Sequence, residues 1–306
     1  MEKQNYRIKN RINEIFRKME DCRYHEDGSK KIYTGCFKLD ERTDGLYKRE
    51  LTLLGARPSL GKSLLALQII ENACEREKKT ILFTNYSGSV MTKRLLSMVS
   101  GIDFCKIMEN DLKWEERKAL KRTAKAVSTY PLIIDDQTCM NFDMIRKRCR
   151  NVKKTEGLDF VVIDYLQEMS VVNWWFRPKK ANDVYLYIVK ELERMARELD
   201  IAVLLLSSLP DTIEKRSCKR PLFKDFDAYG PITSYASLVL TLYRDEYYHY
   251  EGERNTAEIG IHKAKREKTL CRIVNLKTDL GKSRFYSMCD AFMPIPSNIV
   301  DELPFS

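Results

Sequence analysis

The sequence is poor in the residues that build metal and acid–base sites. It has only three histidines, His25, His249 and His262, none at ligand spacing from another histidine or a cysteine, which argues against histidine-based catalysis. Its nine cysteines, at 22, 36, 74, 105, 139, 149, 218, 271 and 289, include no Cys-x-x-Cys pair, so a zinc site is not expected. No apolar run approaches the roughly 20 residues of a membrane span. The start has no charged region followed by an apolar one, as a secretory leader would. These absences and the odd cysteine count lead us to expect free thiols, a cytoplasmic location and no membrane partner. Repeats and low-complexity tracts are also lacking.

What is present is a chain of 306 residues, 43% apolar, enough to bury a sizeable core. Its 54 Lys and Arg against 44 Asp and Glu leave a net charge of +10, which suits a polyanionic partner.

The most informative stretch joins an apolar run at 51–54 to Gly55, Ala56, Arg57, Pro58, Ser59, Leu60, Gly61, Lys62 and Ser63, and then to a helical pattern. A strand, a tight loop and a helix start around Gly-Lys-Ser form a phosphate-binding loop. Loop and helix N–H groups converge on one spot, where the helix dipole adds positive charge. Residues 57–63 are therefore the candidate nucleotide-binding residues, with Lys62 reaching the β- and γ-phosphates and Ser63 ligating Mg²⁺. Counting back from Gly61 puts Ala56, not Gly55, at the motif's first glycine. A second Gly-Lys-Ser, Gly281-Lys282-Ser283, leads into strand-like Arg284-Phe285-Tyr286. With no helix behind it, it is expected to be a decoy.

Short, fully apolar runs at 51–54, 81–84, 132–134, 160–163 and 203–206 suit parallel strands covered on both faces. Helical patterns at 62–77, 89–99, 113–128, 141–154 and 183–199 lie between them. This order predicts an α/β fold with a mainly parallel sheet. Runs at 238–243, 257–262 and 271–276 are close together and read as antiparallel strands. Residues 1–21 read as an amphipathic helix with Tyr6, Ile8, Ile12, Ile15, Phe16 and Met19 as its apolar stripe. The run 160–163 ends in Asp164, an acid at the end of a central strand, placed to hold Mg²⁺ beside the loop.

These stretches, with Thr34-Gly35, Leu39-Asp40, Arg94-Leu95-Leu96-Ser97, Gly101-Ile102-Asp103, Ile163-Asp164-Tyr165-Leu166-Gln167, Arg220-Pro221 and Tyr243-Arg244-Asp245-Glu246-Tyr247-Tyr248, resemble the C-terminal motor domain of DnaB-type replicative helicases. The resemblance implies a RecA-like P-loop NTPase and divides the chain into a linker-type helix and connector at 1–32, an ATP-binding helicase domain at 33–290 and a tail at 291–306. It implies ATP and Mg²⁺ as cofactors, single-stranded DNA as partner and a homo-oligomeric ring, expected to be a hexamer. The family's N-terminal helical domain has no counterpart. A basic finger from the neighbouring subunit is implied at Lys263 and either Lys265 or Arg266, and a DNA-contacting position at Gly230.

The departures fall on chemistry and coupling. Where the family carries its catalytic glutamate, this chain reads Thr84-Asn85-Tyr86-Ser87, with Tyr86 near the glutamate's place and no acid between Glu77 and Asp103. A tyrosine, with an ordinary pKa near 10, is a poor base at neutral pH. Asp135 and Asp136 are substitutes to weigh against simple turn-forming acids. Ser208 stands where the family's phosphate-sensing glutamine would be, and Asp227 where an arginine contacts DNA. Trp174 and Trp175, followed by basic residues, and the basic helix 141–154 are further candidates for nucleic-acid contact. The expected function is a helicase translocating on single-stranded DNA in replication. The alternatives are a catalytically degenerate paralogue that binds nucleotide and loads, regulates or co-assembles with an active helicase, and a regulatory ATPase with no DNA role.

Overall fold

The computed structural model describes residues 30–136, 140–171, 178, 180–249, 252–265 and 273–287. The expected N-terminal helix, the Trp174–Trp175 loop, Arg266 and the 291–306 tail lie outside them. The described residues fall almost wholly within a compact unit that starts at Ile32.

Among the described residues nine strands share one sheet. They are β1 (Leu51–Ala56), β2 (Thr80–Thr84), β3 (Leu132–Asp135), β4 (Phe160–Asp164), β5 (Ala202–Ser208), β6 (Leu238–Tyr243), β7 (Thr256–Ala264), β8 (Ile273–Asp279) and β9 (Arg284–Ser287). Across the sheet they run β9, β8, β7, β6, β1, β5, β4, β2, β3. Neighbours from β6 to β3 are parallel. Those from β6 to β9 are antiparallel.

One expectation needs correcting. The 238–243 run is antiparallel only to β7; its other neighbour is β1, to which it is parallel, with Leu240 opposite Leu54. All six of its residues are buried because both of its faces are covered, whereas β8 alternates exposed and buried residues and has one face open.

Successive residues of the central strands serve opposite cores. Leu54, Ala56, Phe160, Val162, Leu204 and Leu206 pack with helices α2 (Lys62–Glu75) and α3 (Gly88–Ser100). Leu51, Leu53, Val161, Ile163, Val203 and Leu205 pack with α6 (Phe142–Thr155) and α7 (Ala181–Leu199). A period of two with both faces apolar is what makes these runs read as unbroken hydrophobic stretches. Each such side chain contributes about 1.5–3 kcal/mol on burial. Gly55 is required by packing, because a Cβ there would come within 2.5 Å of the Phe226 ring.

Three short or edge helices complete this unit: α1 (Phe37–Thr43), α4 (Phe104–Glu109) and α5 (Trp114–Val127). The expected helix at 113–128 is α5; α1 and α4 were not foreseen. Both are fixed by local carboxylate hydrogen bonds, from within the first turn in α1 and from the N-cap in α4. The Asp40 carboxylate accepts from Thr34 N and Oγ1, each at 2.9 Å, and burial pushes its pKa up to about 6. The Asp103 carboxylate accepts from Cys105 N at 2.8 Å at the head of α4. The second Gly-Lys-Ser is the β8–β9 turn, where Lys282 pairs with Asp279 at 3.2 Å and no helix follows.

Candidate nucleotide-binding site

The C-terminal ends of β1, β5 and β4 bring three segments together. Gly55 and Ala56 are in register with Ser207 and Ser208, and β5 lies between β1 and the strand that ends at Asp164. After β1 the chain turns back on itself, with left-handed φ values of 64° at Ser59 and 100° at Gly61. Glycine is the residue that adopts the second without strain. The Leu60 side chain is fully buried and pins the loop, while Pro58 and Ser59 are exposed. The Phe285 ring of β9 lies 3.1 Å from where a Gly61 Cβ would be, so the β8–β9 hairpin packs on the loop. Helix α2 starts at Lys62 without a side-chain cap, so its first N–H groups are left to other acceptors, an arrangement that favours an anion.

Lys62 is only 8% exposed. Its Nζ donates to Ser208 Oγ at 3.2 Å and lies 5.2 Å from the Tyr165 ring centroid. Burial lowers its pKa, and the Asp164 charge opposes that. Asp164 is 1% exposed, and neither of its carboxylate oxygens meets a donor in good hydrogen-bonding geometry. Burial pushes its pKa up, while the nearby Ser63 hydroxyl and Lys62 ammonium pull it down. A buried carboxylate left without donors costs several kcal/mol unless a cation or its waters complete it. The donor set, a carboxylate and a hydroxyl beside a lysine, is all oxygen at the ligating positions and fits a hard divalent cation such as Mg²⁺.

Gln167 was not foreseen as a site residue; its only sequence signal was its place in the 163–167 match. Its amide donates to Ser207 Oγ and Ser208 O, both at 3.0 Å, and accepts from Ser208 N at 3.0 Å. The Tyr229 hydroxyl is hydrogen-bonded to the same amide. Lys62, Ser208, Gln167 and Tyr229 thus form a continuous polar chain from the loop to the residue preceding Gly230.

Other expected residues are placed differently. Arg57 turns away from the loop to Asp211 at 2.7 Å, Glu214 at 2.9 Å and Leu209 O at 2.6 Å. Tyr86 is half exposed, two residues past Thr84, which is the register partner of Asp164. Asp136 accepts from Gly88 N at 2.7 Å at the head of α3, and Asp135 lies 3.9 Å from Arg148, so both have structural partners. Lys263 donates to Thr233 O at 2.9 Å and Lys265 lies 3.4 Å from Glu50. Both are at the strand edge opposite the loop, because β7 runs antiparallel to β6 and ends beside Leu238. One chain does not bring them to its own site. Gly230, with φ of 81°, ends a 3₁₀ turn at Phe223–Tyr229, and Asp225 within that turn is held by Arg216 at 2.8 Å.

With this geometry in hand, the comparisons are consistent with one another. The family model for the DnaB-like helicase C terminal domain matches residues 31–286. The replicative DNA helicase DnaB of Geobacillus stearothermophilus is 33% identical over 236 residues, 76% of this chain and 51% of that protein. The chain thus spans about half the length of the curated relatives it matches. A solved ATPase domain is 29% identical with a TM-score of 0.76, over 93% of this chain and 100% of that one. A DnaB-like replicative helicase, described with its interactions with primase, is 26% identical with a TM-score of 0.79, over 92% of this chain and 68% of that one.

Proposed function

The chain belongs to the DnaB-like helicase C-terminal domain family, and from that premise we propose that it binds ATP with Mg²⁺ at residues 57–63 and translocates on single-stranded DNA during replication. Its α/β architecture is that of the RecA-like ATPase domains it resembles. The observation that carries the proposal is the buried Asp164 carboxylate, without donors of its own, beside Ser63 and Lys62.

The roles follow from that geometry. Loop N–H groups and the start of α2 take the phosphates. Lys62 exchanges its Ser208 partner for a β- or γ-phosphate oxygen. Ser63 and, through water, Asp164 would hold Mg²⁺, which neutralises charge building on the phosphates. Lys263 and Lys265, remote from the site of their own chain, are in the position a finger serving a neighbouring subunit would need, and Arg266 follows them in the sequence. That placement favours a ring, for which six subunits is our working number; the family resemblance would put Gly230 on the DNA-facing side. The proposed work on DNA would put the protein in the cytoplasm; among the described residues no helix is long and apolar enough to cross a membrane.

A second reading is favoured by Tyr86 and by the structural employment of Asp135 and Asp136. In it the chain binds nucleotide but serves as a structural, loading or regulatory partner of an active helicase. Steady-state ATP hydrolysis with and without single-stranded DNA separates the two. We expect slow turnover that DNA stimulates. Turnover at background in both conditions, with nucleotide still bound, would establish the second reading.

A further inference from the structure

The basic helix that the sequence points to has several of its cations already committed, although Lys147 and Lys154 are exposed and make no ion pair among the described residues. On α6, Arg146 pairs with Glu198 at 2.9 Å, Arg150 with the same carboxylate at 3.1 Å, and Lys153 donates to Leu158 O at 2.8 Å. The adjacent charges of α5 differ. Lys118, Lys121, Arg122 and Lys125 are all exposed, and among the described residues none of them makes an ion pair.

Their spacing is i, i+3, i+4 and i+7, which sets them on one helix face. The opposite face, with Leu120, Ala124 and Val127, is partly buried against the body. The two acids of α5, Glu115 and Glu116, are confined to its first turn, and Glu116 is already paired with Lys106 at 2.7 Å. Like charges at these spacings repel one another, so an ordinary solvated helix interleaves acids among them. The same face begins with Trp114, 69% exposed, with Lys118 Nζ 5.2 Å from its ring centroid. An open indole followed by a line of unpaired cations offers a stacking surface and phosphate contacts together.

We propose that the α5 face, Trp114 with Lys118, Lys121, Arg122 and Lys125, is a binding surface for single-stranded nucleic acid. An acidic protein segment would satisfy the cations but leaves the indole unexplained. The surface is separate from the path assigned above to Gly230, so each can fail without the other.

The test is anisotropy of a fluorescein-labelled oligothymidylate across a salt series, with the full chain and the variant carrying Lys118→Glu, Lys121→Glu, Arg122→Glu and Lys125→Glu. Equal urea midpoints for the two proteins verify the fold. Each lost phosphate contact lowers the log–log salt slope by about 0.7 on a single strand, so the slope should become shallower by about 3 and low-salt affinity should drop at least about tenfold. The Trp114→Phe protein should also lose part of the fluorescence quench that DNA produces. Binding by both proteins with equal slopes would overturn this surface and leave the proposed motor intact. No binding by the unaltered chain would overturn both. Capture of poly-glutamate but not oligothymidylate through these residues would assign the face to an acidic protein instead, and overturn the proposal.

Discussion

Changing Tyr86 to glutamate is expected to raise ATP turnover by about 10²–10⁴-fold, the range that a positioned general base contributes. Thr84 ends β2 in register with Asp164, so the residues just past Thr84 lie at the edge of the site, one strand from the acid proposed to hold Mg²⁺. Tyr86 occupies that edge and is half exposed, with its N–H bonded to Thr84 Oγ1 at 3.1 Å. A glutamate there would keep the backbone bond and put a carboxylate, ionised at neutral pH, at the same edge of the site, closer to the backbone than the tyrosine hydroxyl. The neighbouring acids do not fill this role as the chain is folded, since Asp136 caps α3 and Asp135 lies against Arg148. Nucleotide affinity should change little, because no binding contact is altered. A Tyr86→Glu protein that is no faster would mean that the attacking water is activated elsewhere or not at all.

Lys62→Ala should weaken ATP binding by about 10–100-fold, the equivalent of about 1.5–3 kcal/mol for a hydrogen bond to a charged group. The buried ammonium has only Ser208 Oγ as a hydrogen-bond partner among the described residues, so its remaining donors are available to a phosphate. Its loss also removes the cation nearest a buried carboxylate. Asp164 would then be raised further in pKa, which adds to the loss of metal affinity. Thermal denaturation in saturating ATP and Mg²⁺ reads this directly. A ligand at about 100 times its Kd stabilises the folded state by about 2.7 kcal/mol, and the variant should lose most of that at the same ligand concentration. An undiminished ligand shift in Lys62→Ala would place nucleotide binding elsewhere.

How much of this was legible in the sequence depended on whether the signal was local. The β1–loop–α2 unit was, because an unbroken apolar strand, Gly61 and an amphipathic helix follow one another without interruption. So was Asp164, since four apolar residues lead into it. The pairing of β6 with β1 was not, because both neighbours of a buried strand leave the same apolar imprint. Helices α1 and α4 are too short for periodicity, and the carboxylates that fix them, Asp40 in the first turn of α1 and Asp103 at the N-cap of α4, are a weak signal on their own. The clamp of Gln167 on Ser207 and Ser208 joins residues 40 or 41 apart, beyond the reach of pattern. The same distance hid the partner of the α6 arginines, Glu198, and made that helix look freer than it is.

The central claim is that Lys62, Ser63 and Asp164 form one metal–nucleotide site. The most direct measurement is equilibrium binding of a fluorescent ATP analogue, with Mg²⁺ and then with EDTA, to the unaltered chain and to Asp164→Asn. The account predicts binding that Mg²⁺ strengthens in the unaltered chain and a Mg²⁺ effect that is lost in the variant. Equal binding with and without Mg²⁺, or an unchanged Mg²⁺ effect in Asp164→Asn, would contradict it.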